Sequence, residues 1–353
     1  MENNNLIAYW DNAASTMVDK RVLESMLPYF SELYGNSSSS HHYGSIAKSA
    51  IDEARENVSN LINAQTKEII FTSGATESIN LALKGFIEEN FESGNHIITV
   101  KSEHKAVLES CEYLEKRGIS VTYLDVDENG HISLNDLKES ITSRTILIAI
   151  MYVNNEVGVI QPIKEIGQIA KENSVAFFCD ATQAIGKINV DVIEDNIDML
   201  AFSGHKIYGP KGIGVLYKRN GISIAPLIHG GNQEFSLRAG TSNTPLIVGI
   251  GKASLLAKNE IHVRQENAIK KRIEIIEHFI NNEIGILPKW EKFQIPNILN
   301  IELISCNSID FMNSQIYKMA ISNGSACNSG LFEVSHVFRL LSKRPENIIR
   351  ISF

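Results

Sequence analysis

The chain has 353 residues, a formal net charge of −8, 43% hydrophobic and 21% charged residues. That composition suits one large globular domain with a smaller companion, and it argues against extended disorder and against direct nucleic-acid binding over a broad surface. No apolar run approaches membrane-span length, and the polar start "MENNN" lacks the basic-then-apolar pattern of a secretory signal, so a cytoplasmic setting is expected.

Residues 19–33 predict a helix on the spacing of Val22, Leu23, Met26 and Leu27, with Pro28 as a kink or break. "YGNSSSSHHYGS" predicts a polar loop, and residues 46–63 a second helix. From there the pattern becomes regular. "EIIFTS" is a strand, "ATESINLALKGFIEEN" a helix, "HIITV" a strand, and residues 105–117 a helix. "ISVTYLDV" and "TILIAIMYV" are strands, "IKEIGQIAKEN" a helix, and "VAFFCDA", "DMLAFS" and "GIGVLYKR" close the series as strands. Short apolar strands alternating with helices imply an α/β fold, with a mainly parallel sheet covered on both faces. Near residue 253 the texture changes to one long amphipathic helix over 253–284, followed by "NILNIEL", "YKMAISNG" and "VSHVFRLL". The expected division is a large domain over 13–255 and a small domain formed by 1–12 and 256–353.

Parallel sheets of this kind place ligands beyond the carboxyl ends of their strands, where the chemically interesting residues fall. "TSGATES", residues 72–78, joins a strand to a helix; its small residues and helix amides suit a phosphate, with a plain helix cap as the alternative. It lacks the G-K-[ST] ending of a Walker motif. His104 follows "HIITV" and could stack on a flat ring, or be a loop histidine. Asn155 ends another strand, and Asp180 follows "VAFFC" with Gln183 three residues on. A carboxylate at the end of a buried strand needs a partner; a protonated ring nitrogen or the next helix N-terminus would serve.

Lys206, in "AFSGHKIYGPKGIG", puts a long cationic side chain where the backbone is most constrained, as expected of a lysine that reaches a buried electrophile. Pyridoxal 5'-phosphate accounts for the set together. Lys206 would form the Schiff base and Asp180 would hold the ring nitrogen protonated. His104 would cover one ring face, Asn155 and Gln183 would address the phenolic oxygen, and Thr76, Ser203 and His205 would hold the phosphate. None of Cys111, Cys179, Cys306 and Cys327 sits in a C-x-x-C pair, so no structural metal centre is expected. Cys327, in "NGSACNSG", stands among small polar residues and glycines, unlike Cys179 in "AFFCDA", and is the expected reactive thiol.

With these residues in view the chain resembles the cysteine desulfurases of the class-V aminotransferase family, within the fold-type I pyridoxal-phosphate enzymes. "YWDNAAST", "GNSSSSHHYG", "EIIFTSGATES", "MYVNNEVGVIQPI", "CDATQAIGK", "SGHKIYGPKGIG", "HGGNQE", "RAGTSN" and "NGSACNSG" carry the resemblance across nearly the whole chain. It implies a large domain with a mainly parallel seven-stranded sheet and a small α/β domain carrying the cysteine loop. It further implies Ala75 in the phosphate cup, Thr241 reaching the phosphate of the neighbouring subunit in a homodimer, and Arg350 pairing with the substrate carboxylate beside Asn155. Lys206, Cys327 and His104 would be the catalytic residues. Two departures stand out: Ser37 replaces a usual proline, and the sequence ends at Phe353 where the family continues.

The resemblance implies conversion of L-cysteine to L-alanine with a persulfide on Cys327, passed to a downstream acceptor protein. Iron–sulfur cluster assembly, tRNA thiolation and DNA phosphorothioation are the pathways open to such a donor. Selenocysteine lyase, an aminotransferase of the same fold, and a catalytically silent scaffold of a sulfur pathway are the alternatives.

Overall fold

The computed structural model describes residues 7–324 and 334–353. Its centre is a seven-stranded sheet built from β2 (Ile69–Thr72), β3 (His96–Val100), β4 (Ser120–Leu124), β5 (Thr145–Ala149), β6 (Ala176–Asp180), β7 (Met199–Ser203) and β8 (Gly214–Lys218), after a short β1 (Ala8–Tyr9) at the start of the described chain. The order is β2-β8-β7-β6-β5-β3-β4, and β8 alone runs against its neighbours. The expected α/β class and seven-stranded, mainly parallel sheet are therefore both present.

Alternate residues along these strands feed two hydrophobic layers, which is why the strands read as continuous apolar runs. Phe71, Ile98, Ile148, Phe177 and Phe202 face one layer with α3 (His42–Leu61) and α7 (Ile163–Glu172). Ile70, Ile97, Leu147, Phe178 and Ala201 face the other with α4 (Ala75–Asn90) and α5 (Lys105–Glu115).

Pro28 separates α1 (Lys20–Met26) from α2 (Pro28–Ser31). α3 begins inside the stretch expected to be loop, because the His41 side chain caps it by accepting from the Gly44 amide at 3.2 Å. α6 (Leu134–Ser140) had no counterpart in the sequence reading. The long helix, α8 (Thr244–Asn281), starts before residue 253, capped by Asn243 with Pro245 in its first turn, and runs without interruption through residue 255. Its first turns pack closely on α3. A Cβ on Gly251 would lie 2.5 Å from the Ala54 Cα, so only glycine fits there.

β9 (Gly285–Ile286), β10 (Ile298–Leu303) and β12 (Ile348–Ser352) make an antiparallel sheet that shares a core with the second half of α8 and with α9 (Ser308–Gln315). β1 pairs in parallel with β11 (Met319–Ala320), tying the described N-terminus to this end of the chain. α10 (His336–Leu341) leads back into β12. Among the described residues no helix is long and apolar enough to cross a membrane.

Candidate active site

The carboxyl ends of β2, β3, β5, β6 and β7 open into one cavity of about 500 Å3. Ala75, Thr76, His104, Asn155, Asp180, Gln183, Ser203, His205, Lys206 and Arg350 all line it. Thr241 lies on an exposed stretch before α8 and is not among the lining residues of this chain. Cys327 lies outside the described residues.

β2 delivers the chain to α4 through Gly74, which caps the helix with no side-chain bond. The first-turn amides of a helix have no acceptor within it, so Ala75 and Thr76 present N–H groups and the positive end of the helix dipole to the cavity. Gly214 of β8 is required by the close approach of this turn: a Cβ on Gly214 would sit 2.4 Å from the Gly74 carbonyl carbon. The Ser203 hydroxyl and the His205 ring close the same corner. The His205 imidazole is pushed down to about 4, first by burial and then by the nearby charges of Lys206, Lys211 and Lys187. Neutral at ordinary pH, it can donate one N–H without bringing a further charge.

This shift sets a pH dependence. Between about pH 6.5, the ordinary histidine value, and about pH 4, the unfolded chain takes up a proton that the folded chain refuses. The cofactor-free protein should therefore lose stability as pH falls through that window. His205→Gln should flatten this part of the profile, read from denaturation midpoints at pH 7 and pH 4.5.

Lys206 stands on the one-turn segment Gly204–Lys206 directly after β7. The chain then folds back so tightly that a Cβ on Gly209 would lie 2.8 Å from the Gly204 carbonyl oxygen, and Gly212 adopts φ +80°. The small and turn-forming residues around the lysine are thus explained by the loop that aims it. Its Nζ donates to the carbonyls of Ala13 at 2.5 Å and Ala14 at 2.7 Å.

Asp180, 5% exposed at the end of β6, accepts from the Thr182 amide at 2.9 Å. The stretch after β6 is a turn and not the helix that a capping role for Asp180 expected, and the carboxylate lines the cavity. His104 caps α5, its Nδ1 accepting from the Ala106 amide at 3.1 Å, while its ring lines the cavity. Asn154 builds the turn after β5 by accepting from the amides of Glu156 and Val157, which leaves Asn155 to reach the cavity.

Arg350 comes from β12 and is 2% exposed. Nη1 donates to the carbonyls of Asn155 at 2.9 Å and Gly324 at 3.1 Å, and Nη2 donates to Asp11 Oδ1 at 2.7 Å. Its Nε is buried with no partner among the described residues. Three of the five guanidinium N–H groups are thus engaged, and the N–H on Nε and the second on Nη2 are left for an anion of fixed orientation.

Several groups escaped the sequence reading. Glu103, 1% exposed, accepts from the Met151 amide at 2.5 Å, and burial followed by the charge of Asp180 pushes its carboxyl well above the usual range. Asp11 clamps Arg350. Lys187 is buried beside Gln183. The only sequence signal for Asp11 and Lys187 was their presence inside the motifs "YWDNAAST" and "CDATQAIGK", and for Glu103 its place next to His104.

Known proteins give independent context. The family model described as "Aminotransferase class-V" matches residues 8–353. "Cysteine desulfurase IscS" of Ehrlichia chaffeensis is 47% identical over 347 residues, 96% of this chain and 83% of that protein. The solved structure "NIFS-LIKE PROTEIN" superposes with a TM-score of 0.92 at 36% identity, covering 99% of this chain and 94% of that one. "SspA in complex with cysteine" gives a TM-score of 0.88 at 41% identity, covering 98% of each chain.

Proposed function

The chain belongs to the class-V aminotransferase family, and from that premise we propose that it is a pyridoxal-phosphate-dependent cysteine desulfurase, converting L-cysteine to L-alanine with transfer of the sulfur to Cys327. The observation that carries this reading is the single cavity in which Lys206, Asp180 and a helix N-terminus meet a buried arginine with an unused N–H.

The residues present fit the cofactor. The uncapped start of α4, with Thr76, Ser203 and His205, would receive the phosphate. Asp180 would accept from the ring nitrogen, His104 would lie on the ring face, and Asn155 and Gln183 would reach the phenolic oxygen. Bound there, pyridoxal phosphate supplies an electron sink that makes the α-hydrogen of an attached amino acid acidic.

The chain supplies the rest. Arg350 orients the substrate carboxylate beside Asn155. Lys206 Nζ removes the α-proton and returns a proton to the carbon skeleton. The Cys327 thiolate attacks the substrate sulfur; an S–S bond forms, the C–S bond breaks, and its electron pair stays with the carbon, which becomes the methyl group of alanine after protonation. The sulfur then passes from Cys327 to an acceptor protein.

We further propose a homodimer in which Thr241 of each chain completes the phosphate site of its partner. Leu23, Leu27, Phe30, Ile228 and Phe235 are exposed apolar side chains that such an interface would cover.

The activity is tested by incubating the cofactor-loaded protein with L-cysteine and a thiol reductant. Alanine and sulfide should appear in equal amounts. Formation of an oxo acid in place of alanine would identify an aminotransferase, and strong preference for selenocysteine would identify a selenocysteine lyase. No product from any of these substrates would leave a silent scaffold.

A further inference from the structure

Lys187 has no part in the chemistry above, yet it is only 9% exposed, on the turn that follows β6. Its Nζ donates to Gln183 Oε1. Gln183, 3% exposed, donates from Nε2 to the Ala13 carbonyl at 2.9 Å, and Lys206 Nζ donates to that same carbonyl at 2.5 Å. One backbone oxygen thus joins the two lysines through a glutamine.

We propose that Lys187 is a positioning residue for the cofactor site: it fixes the Gln183 amide so that only N–H is presented to the cavity, where a phenolate oxygen is received. An amide can turn either end toward an acceptor or a donor, whereas an ammonium can only donate. With Oε1 committed to Lys187, both hydrogens of Nε2 lie on the other side. One meets Ala13, and the second is left for the cavity that Gln183 lines. This inference rests on the proposed cofactor.

The charged surroundings of Lys187 are cationic. Lys206 and Arg350 act on it from the active-site side. Behind it, a second cavity of about 180 Å3 is shared by Lys187, Lys206 and, from α8, Arg264 and Lys271, with no carboxylate side chain among the described residues that line it. Burial first, then Lys206 and Arg350, draws the Lys187 ammonium down to about 7. Replacing Lys187 by methionine removes a fixed donor from the phenolate and, below about pH 7 where the amine holds its proton, a like charge from Lys206. Both changes let Lys206, once joined to the cofactor, keep its proton to higher pH.

The test is a pH titration of the absorbance of cofactor-loaded wild type, Lys187→Met, Lys187→Arg, Gln183→Leu and the Lys187→Met/Gln183→Leu pair. The midpoint of Lys187→Met should rise by about one pH unit, Lys187→Arg should stay near wild type, and the Met change should add clearly less in the Leu background. An unmoved midpoint in Lys187→Met, or an equal shift with and without Gln183, overturns the inference alone. A wild type that takes up no cofactor overturns the proposed function with it. A second readout needs no cofactor. Wild-type stability should rise between about pH 7 and pH 10.5, because the unfolded chain there binds a proton that the buried amine has released. Lys187→Met should lack that rise, and its persistence would also overturn the inference.

Discussion

Lys206→Ala is expected to abolish the absorbance band of the lysine-bound cofactor and to lower alanine production by at least about a thousandfold. The substitution removes the amine that bonds to the cofactor and the base that moves the α-proton, so the two losses occur together. What remains should be a folded protein. Lys206 contributes hydrogen bonds to two backbone carbonyls, Ala13 and Ala14, and losing such bonds at a partly exposed site costs about 1–2 kcal/mol. An intact thermal transition with no turnover locates the defect in chemistry. Mixing extends the test to the dimer. A Lys206→Ala chain and a Thr241→Ala chain each carry one defect, and if sites are composite, half the sites in a mixed dimer hold neither. Activity recovered on mixing supports shared sites; an active enzyme that stays monomeric at all concentrations refutes them. Normal alanine production by the purified Lys206→Ala protein would remove Lys206 from the mechanism.

The sheet was legible because its strands are short, apolar on both faces and separated by amphipathic helices, a pattern that admits few other architectures. The strand ends were legible for the same reason: once β6 and β7 are placed, Asp180 and Lys206 must project from the same edge. Boundaries were less so. α3 starts within "SSHHYG" because His41 happens to cap it, and α8 reaches back to Thr244 because its first turns rest on α3 through Gly251, contacts that no local propensity announces. The clamp of Asp11 on Arg350 joins residues 339 positions apart, and Glu103 and Lys187 look like ordinary surface charges until the fold buries them. Long-range pairing of this kind is a property of the packed chain. Only the resemblance hinted at it, through motifs whose internal logic stays hidden until they are brought together.

Cys327→Ser should separate the cofactor chemistry from sulfur transfer. The flanks of its segment are placed: Gly324 accepts from Arg350 Nη1 at 3.1 Å, and Gly324 and His336 both line the cavity. Serine preserves size but is a far weaker nucleophile. The variant should still bind cofactor and cysteine, with unchanged spectral titration by substrate, while turnover falls by at least about a thousandfold. The other thiols are poor substitutes. Burial pushes Cys111 up to about 12 and Cys179 well above its ordinary value, and Cys306 packs against the core of the antiparallel sheet rather than at the cavity. The decisive measurement is intact-protein mass after a brief pulse of L-cysteine, before and after a reducing wash. Wild type should gain the mass of one sulfur, lose it on reduction, and yield it on the peptide containing Cys327. The serine variant should gain nothing. Should it acquire the same reducible sulfur and turn over at the wild-type rate, the nucleophile is another residue, and Cys327 has a different task.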